Sequence, residues 1–285
     1  MNKTVLLIGL GNMGTALART LLGLGYETWV WNRTKEKVGT LLEAGALWSE
    51  DVWAAVGFVD SVVMCLSNYD ICVELLSTCS DLENKTLIQL TTGTASDANS
   101  FENLVKQKRG RYLDGVILAY PSNIGDPRCS LLVAGNSLAW KESEALISEL
   151  GGKSQYLGEE VGAPSHLDHA LIAPSLMMQM AVIQGMHMAK TAGVDLEFYS
   201  TMISGLPISL KADQDRHTRA IIDGDFSKVQ ASIRTWKEAL DRILEEGKVS
   251  NLNTGLLSGI DEVLRNGQDQ GIGEEDLAAL IKTLG

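Results

Sequence analysis

Hydrophobic positions in the first half of the chain fall into short runs separated by longer stretches of mixed polarity. Residues 5–8 are apolar throughout, and similar runs recur at 27–31, 60–66, 86–91, 112–118 and 130–133. Runs this short, bounded by turn residues, predict buried β-strands. Between them, residues 35–44, 70–79, 96–108 and 138–150 carry apolar side chains at helical spacing. Strand–helix alternation of this kind predicts a parallel sheet with helices on both faces, an α/β architecture.

The pattern changes near Gly158. Residues 165–192 read as one long helix with Pro174 as its only irregularity, and helices follow at 196–204, 211–223, 228–246, 253–266 and 274–284. No strand is predicted there. The expected organisation is an α/β domain over 1–160 and an all-helical domain over 161–285, which includes the interdomain helix at about 165–192. That helix is apolar on nearly every side: Leu171, Ile172, Leu176, Met177, Met178, Met180, Val182, Ile183, Met186 and Met188. A helix hydrophobic all round must be buried all round. A helical domain of this size could hardly bury it alone, so a homodimer through the C-terminal domain is expected. Core packing is the favoured role for each methionine, with a plastic pocket wall as the alternative.

The first strand breaks into Gly9-Leu10-Gly11-Asn12-Met13-Gly14, and a helical pattern follows at once. This is a GxGxxG in the strand–turn–helix setting that a dinucleotide pyrophosphate requires, the signature of a Rossmann domain. The helix start offers free N–H groups and a positive dipole end to the anion. The second strand ends in Asn32-Arg33-Thr34, with Lys37 just beyond. A site for the unphosphorylated cofactor would place Asp or Glu there, to hold the ribose 2′-hydroxyl. An amide, a guanidinium and a hydroxyl suit a 2′-phosphate instead, so NADP(H) is the expected cofactor. In such sheets ligands sit beyond the carboxyl ends of the strands. That adds Leu66, Ser67, Thr91 and Thr92 to the candidate cofactor-binding residues.

The formal net charge of −12 argues against nucleic acid, which needs a basic surface, and against anionic membrane surfaces. The cations at Arg33 and Lys37 run against that sign. Residues 170–189 are largely apolar, but Pro174, Gln179, Gln184 and His187 would be costly in lipid. No membrane association is expected. Cys65, Cys72, Cys79 and Cys129 lack CxxC spacing and read as small buried hydrophobes in a reducing cytoplasm. The strand start by Thr4 leaves no room for a signal peptide, which points to the same compartment. No Cys/His cluster suggests a metal.

With the glycine motif, Trp31-Asn32-Arg33-Thr34, Ser67-Asn68-Tyr69-Asp70, Leu90-Thr91-Thr92-Gly93-Thr94, Tyr112-Leu113-Asp114-Gly115 and Gly162 through Asp168 to Ala170, the chain resembles the imine reductases. These are NADPH-dependent members of the β-hydroxyacid dehydrogenase superfamily, related to 6-phosphogluconate dehydrogenase. The resemblance spans essentially the whole length. It implies reduction of cyclic imines or iminium ions to amines by hydride transfer. Hydroxyacid dehydrogenases of the superfamily hold a lysine near the start of the long helix, followed closely by asparagine. Between Gly158 and Lys190 this chain has neither, and Asp168 falls where imine reductases carry aspartate or tyrosine. Leu167 departs from the tyrosine common in relatives. A second departure from the family is Tyr120, which stands before Pro121 where the family often has a smaller residue.

A carboxylate suits a protonated iminium, by charge pairing or by delivering the proton. Asp168 and Tyr120 are therefore the candidate catalytic residues. Tyr120, Met178 and Trp236 are candidate walls of a substrate pocket. His169 points to a different helix face from Asp168 and reads as a core or interface histidine. One alternative function is a carbonyl or semialdehyde reductase of the hydroxyacid dehydrogenase type, kept open by Arg216, Arg219 and Arg234. Another is a catalytically silent NADPH-binding protein.

Overall fold

The computed structural model describes residues 3–250 and 252–284. The chain folds as two compact units, Met1–Pro174 and Ser175–Gly285. The first holds an eight-stranded sheet. Its strands are β1 (Thr4–Ile8), β2 (Glu27–Trp31), β3 (Leu47–Trp48), β4 (Ser61–Met64), β5 (Thr86–Gln89), β6 (Arg111–Ile117), β7 (Leu131–Gly135) and β8 (Gln155–Tyr156). Their spatial order is β3-β2-β1-β4-β5-β6-β7-β8. The order reverses between β1 and β4, which is where an open α/β sheet binds its ligand.

Alternate residues of β1 enter different cores. Val5 and Leu7 pack with Leu17 and Leu21 of α1 (Asn12–Gly23) on one face. Leu6 and Ile8 pack with Leu76 of α3 (Tyr69–Ser77) and Phe101 of α4 (Ala95–Gln107) on the other. A strand covered on both sides must be apolar throughout, which is why residues 5–8 show no alternation. Helix α2 (Gly39–Glu43) follows a 3-10 turn at Lys35–Val38, and α5 (Ser137–Leu150) covers β7.

One pairing departs from the all-parallel expectation: β7 runs antiparallel to β6. The link between them contains only the 3-10 turn Pro121–Asn123. Without a crossover helix the chain returns beside its own strand, and Leu118 N–H donates to Ser130 O at 2.9 Å to open the hairpin.

Helix α6 (Ala163–Thr191) is 29 residues long with Pro174 inside it. The second unit adds α7 (Leu196–Ile203), α8 (Leu206–Asp223), α9 (Ile233–Val249), α10 (Gly255–Asp269) and a 3-10 helix at Leu277–Thr283. Among the described residues its buried apolar side chains are few: Ile233, Leu240, Leu264, Ala278 and Ala279. Among the described residues no helix is long and apolar enough to cross a membrane.

Candidate functional site

The switch point is built on two glycines that the fold itself requires. Gly9 has φ +102°, and a Cβ there would lie 2.2 Å from the carbonyl oxygen of Cys65, at the end of β4. A Cβ on Gly14 would meet the Gly9 oxygen at 1.9 Å. The middle glycine differs. A Cβ on Gly11 would find nothing within 4 Å, so packing does not explain it. Open space over a helix N-terminus with no side-chain cap leaves donors free for an anion. That is the cradle a pyrophosphate fits.

Asn32 locks this turn to the end of β2. Its Oδ1 accepts from Leu10 N–H at 3.0 Å, and its Nδ2 donates to Thr34 O at 3.0 Å. Both ends of the amide are thus spent on protein, and the basic residues beyond it stay clear. Arg33 and Lys37 are exposed, and neither enters an ion pair among the described residues. Together with Trp31, Asn32 and Thr34 they line a cavity of about 280 Å³. Its remaining lining comes from Leu66, Ser67 and one stripe along α3 and its C-cap: Ile71, Glu74, Leu75 and Thr78. Sequence reasoning missed that stripe. Its signal is the helical spacing 71, 74, 75, 78, which reads as an ordinary amphipathic edge when its surroundings are unknown.

The two neighbouring strand ends are tied together. Leu66 N–H donates to Thr91 Oγ1 at 2.9 Å, and Thr91 N–H donates to Gln89 Oε1 at 3.1 Å. Thr91 is buried while Thr92 is exposed beside it. Thr94 then caps α4 in a reciprocal capping box with Asp97. Leu10 is buried, and Asn12 is exposed at the first turn of α1 with Met13 partly covered.

Asp168 is 5 % exposed within the first unit. The start of α6 that carries it is pressed on α4: a Cβ on Gly162 would stand 2.9 Å from the Ala95 Cβ. Burial raises the Asp168 carboxyl above the usual carboxylate range, and the charge of neighbouring His169 pulls it partly back. No hydrogen-bond donor acts on it among the described residues. His166 and His169 are exposed. Tyr120 is 72 % exposed and precedes the Pro121–Asn123 turn, beyond which Gly125 packs on Thr20 of α1. In the second unit Met178 and Trp236 are both exposed. Among the described residues no group of three His, Cys, Asp or Glu could hold a metal ion.

Residues 4–158 match the family described as the NAD binding domain of 6-phosphogluconate dehydrogenase. Residues 160–285 match the NADPH-dependent reductive aminase-like C-terminal domain. An NADPH-dependent reductive aminase of Aspergillus oryzae is 31% identical, over 99% of this chain and 97% of its own. The imine reductase of Myxococcus stipitatus in complex with NADP+ superposes with a TM-score of 0.95 at 30% identity, over 99% of this chain and 100% of its own. A more distant relative, glyoxylate/succinic semialdehyde reductase 1 of Arabidopsis thaliana, is 25% identical over 97% of this chain and 96% of its own.

Proposed function

Because this chain belongs to the family of NADPH-dependent reductive aminases, we propose that it reduces C=N bonds, turning cyclic imines and iminium ions into amines. The observation that carries the reading is the pairing of a dinucleotide turn with a buried carboxylate at the start of α6, where a carbonyl reductase of this superfamily would hold lysine. Bound NADPH supplies the hydride that reaches the imine carbon. The chain's own work is to hold that cofactor and to manage one positive charge.

The pyrophosphate would lie over Gly9, Leu10, Gly11, Asn12, Met13 and Gly14, where Gly11 leaves room and the α1 N–H groups point. Arg33, Thr34 and Lys37 would take the 2′-phosphate, with Asn32 fixing the strand end behind them. Leu66, Ser67, Thr91 and Thr92 would flank the nucleotide at the next two strand ends.

Reduction adds hydride to carbon and a proton to nitrogen. A protonated iminium accepts hydride far better than a neutral imine. Asp168, buried and in no salt bridge among the described residues, is suited to stabilise that cation or to deliver the proton. A lysine there would repel it. Tyr120, exposed in its loop, is the proposed second donor, and Met178 and Trp236 are proposed to line the substrate pocket. The homodimer is proposed on the apolar side chains that α6, α7 and α8 leave uncovered. Four free cysteines fit a reducing compartment such as the cytoplasm.

The test is NADPH oxidation with a panel of cyclic imines, against aldehydes and, in reverse, 3-hydroxy acids. Turnover of imines only is expected. Asp168→Asn should then cost about 10²-fold or more in turnover of neutral imines, the usual cost of removing a general acid. Permanently charged iminium substrates separate the two roles: a smaller loss marks proton donation, and a comparable loss marks charge pairing. Near-wild-type rates on both, with NADPH binding intact, would remove Asp168 from the mechanism. Oxidation of hydroxy acids without imine turnover would overturn the assignment.

A further inference from the structure

Below the two strand ends that flank the nucleotide lies a polar cluster with no place in the chemistry above. Asp114, on β6, is 1 % exposed. One carboxylate oxygen accepts from the Tyr69 phenol at 2.5 Å and from the Tyr112 phenol at 2.8 Å. The two phenol oxygens are 3.4 Å apart. A buried carboxylate without a counter-ion is costly to keep, so its retention calls for a role.

The cluster reaches the nucleotide loops through Tyr69. That residue is the first of α3, directly after Leu66, Ser67 and the cap Asn68, whose side chain accepts from Ile71 N–H. Its ring lies where a Cβ on Gly93 would stand, 2.4 Å away. Tyr69 therefore touches both loops, the one after β4 and the one after β5. Gln89, opposite Asp114 in the β5–β6 register, holds Thr91 N–H, and Thr91 in turn holds Leu66 N–H.

We propose that Asp114 is a positioning residue for the cofactor: through Tyr69 it fixes the loops at 66–68 and 91–93 against each other, and so sets nucleotide affinity without touching the nucleotide. This rests on the reading that those loops hold NADPH. Tyr112, the second donor, makes its side-chain hydrogen bonds only to Asp114 and Tyr69 among the described residues, so it should matter less.

Ionisation gives the network a signature. Burial pushes the Asp114 carboxyl up to about 7, against the pull of the two phenols. The groups on it are the Tyr69 phenol of α3 and the Tyr112 phenol of its own strand, with Gln89 of β5 and Ala134 of β7 opposite it in register; Phe101 of α4 packs on both tyrosine rings, and the Cys72 thiol lies against Thr91. Asp97, near Gly93, is occupied by Thr94 N–H and Oγ1. The ionised carboxylate is the form that accepts both phenols most strongly, because bonds to a charged acceptor are the stronger ones. Since the carboxyl is raised to about 7, that form is half populated there, grows toward pH 8 and is lost as pH falls.

The experiment measures the NADPH dissociation constant from pH 6 to 8.5 and kcat at saturating NADPH, for wild type, Tyr69→Phe, Tyr112→Phe and Asp114→Asn. Tyr69→Phe keeps the ring on Gly93 and removes only the donor. It should weaken NADPH roughly tenfold at pH 8, the scale of one hydrogen bond to a charged group, with kcat changed less than about twofold. Tyr112→Phe should cost less than about threefold. Asp114→Asn keeps an acceptor, so it should bind nearly as wild type at pH 6 and lack wild type's tightening between pH 6 and 8. Protonation of the 2′-phosphate affects every variant alike and cancels in the comparison. Equal affinity in Tyr69→Phe and wild type overturns the proposal. So does a Tyr112→Phe effect as large as that of Tyr69→Phe, or a wild-type pH profile retained in Asp114→Asn. Failure of wild type itself to bind NADPH would instead overturn the cofactor reading.

Discussion

Single residues in this chain separate into those that hold the protein and those held ready for something else. Asn32 and Arg33 are adjacent, yet the first spends its amide on Leu10 and Thr34 while the second meets no acid among the described residues. For a guanidinium left exposed at a cavity rim, on a chain of net charge −12, an anionic ligand is the proposed partner. Charge-assisted bonds of this type contribute about 1.5–3 kcal/mol. Arg33→Ala should therefore raise the Michaelis constant for NADPH roughly ten- to hundredfold and leave that for NADH nearly unchanged. Steady-state kinetics with both cofactors checks it, and equal changes would remove the 2′-phosphate from this position. Arg33 was legible in the sequence because the acid expected at that strand end is missing. Glu74 and Thr78 in the opposite wall were not, because polar residues on a helix read first as a solvated face. The dual donors on Asp114 were equally hidden: Tyr69 and Tyr112 lie far apart along the chain and meet only through the sheet.

At the scale of elements, the pattern of apolar runs specified the strands that are buried on both faces and failed for those at the margins. β3 and β8 are two residues each, too short to show any period. The antiparallel turn of β7 was implied by the absence of a helix between 118 and 130, a signal carried by what the sequence lacks. The glycine turn offers a sharper test of what an element is for. Gly9 and Gly14 are demanded by backbone contacts at 2.2 and 1.9 Å, whereas Gly11 faces open space. Gly9→Ala and Gly14→Ala should lower the melting temperature markedly, since either β1, α1 or β4 must move. Gly11→Ala should fold with nearly wild-type stability and lose NADPH affinity by about tenfold or more, the scale of a 1.4 kcal/mol obstruction. Thermal unfolding and cofactor titration on the three variants check this together. A destabilised Gly11→Ala, or one that binds NADPH normally, would mean that the turn is only a packing device.

The whole molecule poses a problem of apolar surface that the chain does not solve by itself. Leu176, Met177, Met178 and Ile183 of α6, Phe198 and Met202 of α7 and Ile222 of α8 are all exposed, Met177 to 69 % and Ile222 to 70 %. Against this, among the described residues the second unit buries only Ile233, Leu240, Leu264, Ala278 and Ala279 of its apolar side chains. Soluble monomers rarely expose contiguous apolar patches beyond a few hundred Å², and hydrophobicity on this scale resembles an obligate interface, a core cut in half. A second copy of the chain is the proposed cover, burying about 2,000 Å² or more. Light scattering on the eluted protein at micromolar concentration should then give twice the 30.8 kDa chain mass. Met177→Glu places a charge among those exposed side chains, where burial without a partner is costly, and should shift the mass toward the monomer while leaving the first unit's fold intact by circular dichroism. Imine turnover should fall with the dimer fraction. A monomeric wild type with full activity would show that these side chains face water for some other reason, and that the helical unit completes its work within one chain.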